Sequence, residues 1–207
     1  MTAALDHDLD GALAAIAAGR IVVLAGDRLR GGDIDFMCPA SAVTPEVINF
    51  MATHGRGLIC LAVTPERAAR LGLTLINPGP HRQTGRPFAR SIEAAHGVST
   101  GISAADRAHT VQVAITEGAC AADIHSPGHV FPLIGQPGGV LARPAACEAS
   151  IDLARMAGVG DAAVICSIMR DDGEMARIDD IGDLIAAHRL AVADISALIE
   201  RLERADA

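Results

Sequence analysis

The sequence predicts an α/β (α+β) fold, a single domain over residues 1–207 with a mixed β-sheet flanked by helices in layers. Three observations lead there. The runs at 21–24, 58–63, 162–169 and 190–195 are short, aliphatic and rich in β-branched residues, as buried strands are. Helical stretches with capping residues alternate with these runs. An Asp172-Gly173 turn signal and two Pro- and Gly-rich stretches interrupt the alternation, which favours a mixed sheet in layers.

The elements follow in order. A first helix spans 9–18 and closes at Gly19. The strand at 21–24 breaks into Gly26-Asp27-Arg28-Leu29-Arg30-Gly31-Gly32-Asp33, a polar loop that reads as a turn or as a site. Thr44 caps a helix through Val47, Phe50 and Met51. The strand at 58–63 leads into Thr64-Pro65-Glu66-Arg67, with Thr64 as N-cap and Pro65 at the first helical position. Residues 76–90 form a long loop of the kind that serves as a lid or binding segment. Residues 91–95 are strand-like. Ser103-Ala104-Ala105-Asp106 has capping-box spacing and opens a helix to about Glu117. At 126–133 two prolines oppose helix, yet His129, Phe131 and the aliphatics do not suit a solvated linker, so an ordered loop is expected. An amphipathic helix spans 147–157. A hairpin turns at Asp172-Gly173 toward 175–177, Asp180 caps a helix to His188, and Ser196 starts a C-terminal helix.

Composition narrows the chemistry. Half the chain is hydrophobic, but Trp and Tyr are absent and only four Phe occur, so the core is aliphatic. All 17 basic residues are Arg. With no Lys, lysine Schiff-base chemistry is excluded, and bidentate anion recognition is favoured. A net charge of −8 without a basic run argues against a nucleic-acid partner. No apolar stretch reaches membrane-spanning length, and residues 1–10 lack the pattern of a signal peptide. The five cysteines have no paired metal-type spacing and suit free thiols in a reducing cytoplasm. His129 is the residue of the 126–133 stretch that titrates near neutral pH, and it reads either as an acid or base or as a structural histidine. Cys147 opens a helix, where a thiolate is favoured, and is a candidate nucleophile. Cys166 reads as inert packing.

Several segments together resemble the 3,4-dihydroxy-2-butanone 4-phosphate synthase family, the riboflavin-pathway lyases. The strongest is Ser91-Ile92-Glu93-Ala94-Ala95-His96-Gly97-Val98-Ser99-Thr100-Gly101-Ile102-Ser103-Ala104-Ala105-Asp106-Arg107. Pro127-Gly128-His129-Val130-Phe131-Pro132-Leu133, Gly138-Gly139-Val140-Leu141, Glu148-Ala149-Ser150-Ile151-Asp152-Leu153 and Asp171-Asp172-Gly173-Glu174-Met175-Ala176-Arg177 follow in family order. The resemblance implies conversion of ribulose 5-phosphate to a dihydroxybutanone phosphate plus formate, with magnesium steadying oxyanions, in a homodimer with sites near its interface. It implies a pocket lined by Asp33, Ser103, Asp106, Arg107, Thr110, His129 and Arg143.

The departures fall on the chemistry. Leu29 and Ala146 stand at the family's two metal-ligand positions, and Ser167 stands where the family has a catalytic glutamate. Magnesium needs oxygen ligands, which Leu29 and Ala146 lack, so no cofactor is expected. Arg28, Arg30, Arg90, Arg107 and Arg143 would line the pocket instead, while Arg86 reads equally as a solvated loop charge. Glu148 joins the substrate-binding set, and His129, Asp33 and Cys147 the catalytic set. The expected activity is a metal-independent lyase or isomerase reaction on a small phosphorylated or carboxylated substrate. The ordinary synthase and a non-catalytic regulatory relative are the alternatives.

Overall fold

The computed structural model describes residues 8–76 and 85–205. The signal-peptide reading of residues 1–10 and the lid reading of 76–90 therefore fall largely outside the described residues.

Helix α1 (Leu9–Ala17) starts where the Asp8 carboxylate accepts the Asp10 amide. Strands β1 (Val22–Asp27) and β2 (Asp33–Pro39) form an antiparallel pair around a 3-10 turn, Arg28–Arg30. Gly31 closes that turn at φ 63°, a conformation glycine adopts without steric cost. Helix α2 (Pro45–Phe50) starts at Thr44, whose hydroxyl accepts the Val47 amide, and continues as a π-helical turn. Then come β3 (Cys60–Val63), α3 (Pro65–Arg70), β4 (Ile92–Ala94), α4 (Ala104–Ile115) and β5 (Ile124–Ile134). The chain ends with α5 (Gly139–Ala142), α6 (Ala146–Met156), β6 (Ala162–Ser167), α7 (Gly182–His188), β7 (Ala191–Asp194) and α8 (Ile195–Ala205).

The seven strands form one mixed sheet in the order β4-β5-β3-β6-β2-β1-β7. The β1/β7 and β3/β5 pairs are parallel and the others antiparallel. Both faces are covered, and the two-residue period of a strand divides the core. Val23, Phe36, Leu61 and Val164 pack against Ile48 and Met51 from the α2 region and Val111 of α4. Val22, Leu24, Met37, Cys60 and Ile165 face Ile16 of α1, Leu153 of α6 and Leu198 of α8. A one-residue slip of β2 would exchange Phe36 and Met37 between these clusters, so packing fixes its register. Among the described residues no helix is long and apolar enough to cross a membrane.

Three expectations need correction. Strand β2 was not anticipated, because Asp33 and Asp35 interrupt its apolar run. The stretch at 126–133 is strand, not loop. Pro127 falls where the β4/β5 register shifts, between the pairs Ile92↔Val130 and Glu93↔His125, and a bulge tolerates proline. Pro132 still offers its carbonyl, which accepts the Ala89 amide. The turn at 172–173 does form the short hairpin expected, closed by the antiparallel Met169↔Met175 bridge and by the Arg170 and Ala176 amides on the Glu174 and Ile168 carbonyls. Finally, Asp180 accepts the Arg177 amide at a 3-10 turn that precedes α7, and Asp194 rather than Ser196 caps α8.

Candidate active site

The end of β1, the start of β2, the end of β6 and the N-terminus of α6 bring polar groups together. Asp27 is buried at the end of β1. One of its carboxylate oxygens accepts the Leu29 amide and the other accepts the Ala146 amide, both at 3.0 Å. One carboxylate thus ties the 3-10 turn to the first turn of α6, where the helix dipole favours negative charge.

Asp35 lies opposite Ser167 in the β2/β6 ladder and is 0% exposed. Its Oδ1 accepts from Arg86 Nη2 at 2.5 Å and from Ser167 Oγ at 3.0 Å. Arg86 Nη2 also reaches Ser167 Oγ at 2.8 Å. The Arg86 side chain is only 8% exposed, so the solvated reading of this residue is corrected. Burial opposes its charge, but Asp35, followed by Cys60 and Asp27, outweighs burial and holds the guanidinium pKa above its ordinary range. Asp35 Oδ2 has no hydrogen-bond partner among the described residues.

Arg143 is almost buried. Its Nη1 donates to Glu148 Oε2 and its Nη2 to the Gly85 carbonyl, both at 2.7 Å. Glu148 also accepts the Gln136 amide, so its oxygens serve the scaffold, which corrects its assignment to substrate binding. Burial pushes the Glu148 pKa up, against Arg143. Cys147 is buried as well. Burial and then the Glu148 charge raise its thiol well above the usual range, more than Arg143 and Arg86 lower it. The helix N-terminus loses to desolvation, and Cys147 is corrected from a thiolate nucleophile to a packed thiol.

Asp33 is clamped between Arg30 Nη2 at 2.7 Å and Arg177 Nη1 at 2.8 Å. Arg28 is exposed and donates to Ser196. In the signature segment, Ser103 caps α4 by accepting the Asp106 amide. Asp106 accepts the Gly101 amide and both the amide and hydroxyl of Ser99. Thr110 donates to the Asp106 carbonyl and accepts the Ala94 amide. These three residues build the backbone. Arg107 does not share in that bonding. Its Nε is buried without a partner, and its charge is felt by the Cys166 thiol, as are those of Asp35 and Arg86.

His129 is elsewhere. Its Nδ1 pairs with Glu93 at the β4/β5 edge, and its side chain is 42% exposed. Strands β3 and β6 separate β5 from β2, roughly 14 Å at ordinary strand spacing. No hydrogen bond or ion pair among the described residues joins His129 to Asp33 or Arg143. Arg90 is exposed beside Thr74, His125 and Ser126, also at that edge. Among the described residues the polar groups fall into an Asp27, Asp35, Arg86, Arg143 and Ser167 corner and a Glu93, His129 and Arg90 edge, with no bond between the two. Sequence reasoning missed Asp35 and Arg86 as a pair. The available signal was an acid amid Ile34, Phe36 and Met37, which demands a buried partner.

Comparison with known proteins agrees with this architecture. Residues 10–201 match the sequence profile of the 3,4-dihydroxy-2-butanone 4-phosphate synthase family. A Pseudomonas aeruginosa 3,4-dihydroxy-2-butanone 4-phosphate synthase is 49% identical over 193 residues, covering 93% of this chain and 53% of that protein. This chain thus spans about half the length of the curated relatives it first matches. A solved two-domain synthase from A. baumannii superimposes with a TM-score of 0.86 at 43% identity, over 92% of this chain and 56% of the other. A solved synthase in complex with two magnesium ions gives a TM-score of 0.87 at 33% identity, over 95% and 97% of the two chains. With the profile spanning nearly all of the chain and the same sheet and helices recurring at these identities, the chain belongs to the 3,4-dihydroxy-2-butanone 4-phosphate synthase family.

Proposed function

We propose that this chain is a lyase of riboflavin biosynthesis that takes ribulose 5-phosphate to dihydroxybutanone phosphate and formate, the activity implied by its family. The observation that supports it is the 49% identity to a synthase across 93% of the chain. Arg143, pinned by Glu148 and the Gly85 carbonyl, is pre-organised to meet phosphate or carboxylate with its remaining donors. Glu93 holds one ring nitrogen of His129, leaving the other to move a proton at an exposed position. In a C2 homodimer, His129 of one copy would reach the corner of the other and complete a site that one chain leaves divided.

The donor set does not fit magnesium. At the family's ligand positions Leu29 and Ala146 offer no side-chain oxygen, and Asp27 spends both of its oxygens on their backbone amides. This favours a second reading, a metal-independent lyase or isomerase on another small phosphorylated or carboxylated substrate.

Formate release separates the two. Purified protein given ribulose 5-phosphate should release formate at roughly 1 per second or faster under the first reading. His129→Ala should abolish that release while leaving the melting temperature unchanged. Binding of sugar phosphates without formate release would favour the second reading.

A further inference from the structure

Leu29, Ala146 and Ser167, where the sequence lacks the ligand and glutamate positions implied by the family resemblance, are far apart in sequence but lie around neighbouring strand ends in the fold. Asp27 holds the first two by their amides, and Ser167 stands opposite Asp35 on the neighbouring strand. The side chain within reach of all of this is Arg86. It bonds Asp35 and Ser167 directly, and its charge is felt from Asp27 and Cys147 as well.

We propose that the Arg86 guanidinium, pinned by Asp35 and Ser167, takes the place of the family's divalent cation as the fixed positive charge of this pocket. The proposal rests on the reading that the pocket receives an anionic sugar phosphate. Three observations carry it.

First, the guanidinium is built in. Its partner Asp35 is 0% exposed, and Arg86 itself is 8% exposed. A buried carboxylate on a strand is costly unless a cation meets it, so Asp35 and Arg86 require each other. Second, a divalent ion at the same corner would stand beside a like charge in a low-dielectric setting, without the oxygens needed to offset the repulsion. Third, Asp35 Oδ2 is buried without a partner among the described residues, although Oδ1 of the same carboxylate holds Arg86 and Ser167. An unmet acceptor beside the guanidinium suits a bound ligand that brings a hydroxyl donor. A guanidinium supplies directed N–H donors to phosphate or to an enediolate, where a metal would supply coordination.

Manganese binding, read from the paramagnetic signal of the free ion, tests the placement without any substrate. Wild-type protein should leave the signal unchanged. So should Leu29→Glu/Ala146→His, because Arg86 still fills the place. Adding Arg86→Thr and Asp35→Val to that pair, in a variant whose circular dichroism matches wild type, should produce one bound manganese per chain. Manganese binding by wild type, or equal binding with and without Arg86, would overturn the proposal. Failure of the folded quadruple variant to bind would overturn it too.

Wild type alone supplies a second measurement that requires no variant to fold. By calorimetry, the Kd for ribulose 5-phosphate should change less than twofold between magnesium and EDTA. A tenfold tightening by magnesium would sink the proposal. If no sugar phosphate binds under either condition, the functional reading fails, and the manganese experiment still decides the place of Arg86.

Discussion

Two polar clusters lie within this fold, and they are finished differently. Around the start of α4, Ser99, Gly101, Ser103, Asp106 and Thr110 bond one another and the backbone, and each donor or acceptor on Asp106 Oδ2 and Thr110 Oγ1 has its partner. Around Asp35 and Arg86, a more deeply buried set leaves Asp35 Oδ2 unmatched. A cluster that only shapes the chain can satisfy all of its groups, because its partners are fixed covalently nearby. A cluster meant to receive something has to leave groups unmet until the ligand arrives. The signature residues Ser103, Asp106 and Thr110 thus serve architecture, whereas the Asp35 and Arg86 corner keeps a polar group open.

The sharpest way to break the contrast is Arg86→Ala. It leaves Asp35 buried without its cation and should cost about 3–5 kcal/mol in urea unfolding. Asp35→Val/Arg86→Met should recover most of that loss, since replacing both charges by apolar groups is often neutral. If the double variant is as unstable as the single, the pair is not the unit described here.

The α4 cluster can be strained from its neighbour. A Cβ added at Gly128 would lie 2.1 Å from the Ile92 carbonyl carbon and 2.2 Å from its oxygen. Backbone cannot yield as a flexible side chain does, so Gly128→Ala should cost about 1–3 kcal/mol and loosen β4, whose Ala94 amide Thr110 accepts. Amide exchange at Ala94 should accelerate in that variant while exchange at Ser167 does not.

Asp106→Asn should show a smaller, pH-dependent loss. The Ser99 hydroxyl, aided by the Gly101 and Ser99 amides, holds the Asp106 pKa below the ordinary carboxylate value despite burial. A carboxyl whose folded pKa is depressed stabilises the protein above its unfolded pKa of about 3.9, and this is lost as pH falls through the folded value. The melting-temperature gap between wild type and variant should be constant from pH 5 to 7 and close toward pH 2. A gap independent of pH would assign the effect to packing.

The test that disturbs the fold least is thiol reactivity. Burial raises Cys38, Cys60 and Cys166 from 9.0 to about 12, and Cys147 is raised too, whereas Cys120 is exposed. Three pKa units mean roughly a thousandfold less thiolate. A thiol reagent at pH 8 should label one cysteine per native chain quickly and the other four only on unfolding. Fast labelling of Cys147 would reopen its role as a nucleophile.

Much of the fold was legible because local chemistry and tertiary packing agree. Thr44, Thr64 and Ser103 cap helices where their spacing implies. Buried strands such as Cys60–Val63 read as apolar runs. Legibility failed where a tertiary partner overrides a local signal. Asp33 and Asp35 look like loop residues until Arg177 and Arg86 arrive from 144 and 51 residues away. Pro127 looks like a strand breaker until the register shift of β4 accommodates it. For the site, neither the Asp35/Arg86 pair nor the separation of corner from edge was legible, because strand order is set by pairing over long sequence separations.

The Asp27 carboxylate carries a last consequence. By taking the amides of Leu29 and Ala146 it stitches a tight turn to a helix start 119 residues later in the chain. The bond to Leu29 is local, but the bond to Ala146 joins segments that an unfolded chain holds far apart, so it should form late, after the sheet has assembled. Such late contacts govern how slowly a folded protein comes undone more than how quickly it folds. Asp27 is therefore a latch on lifetime: its removal should shorten the persistence of the native state while leaving the speed of its formation nearly untouched.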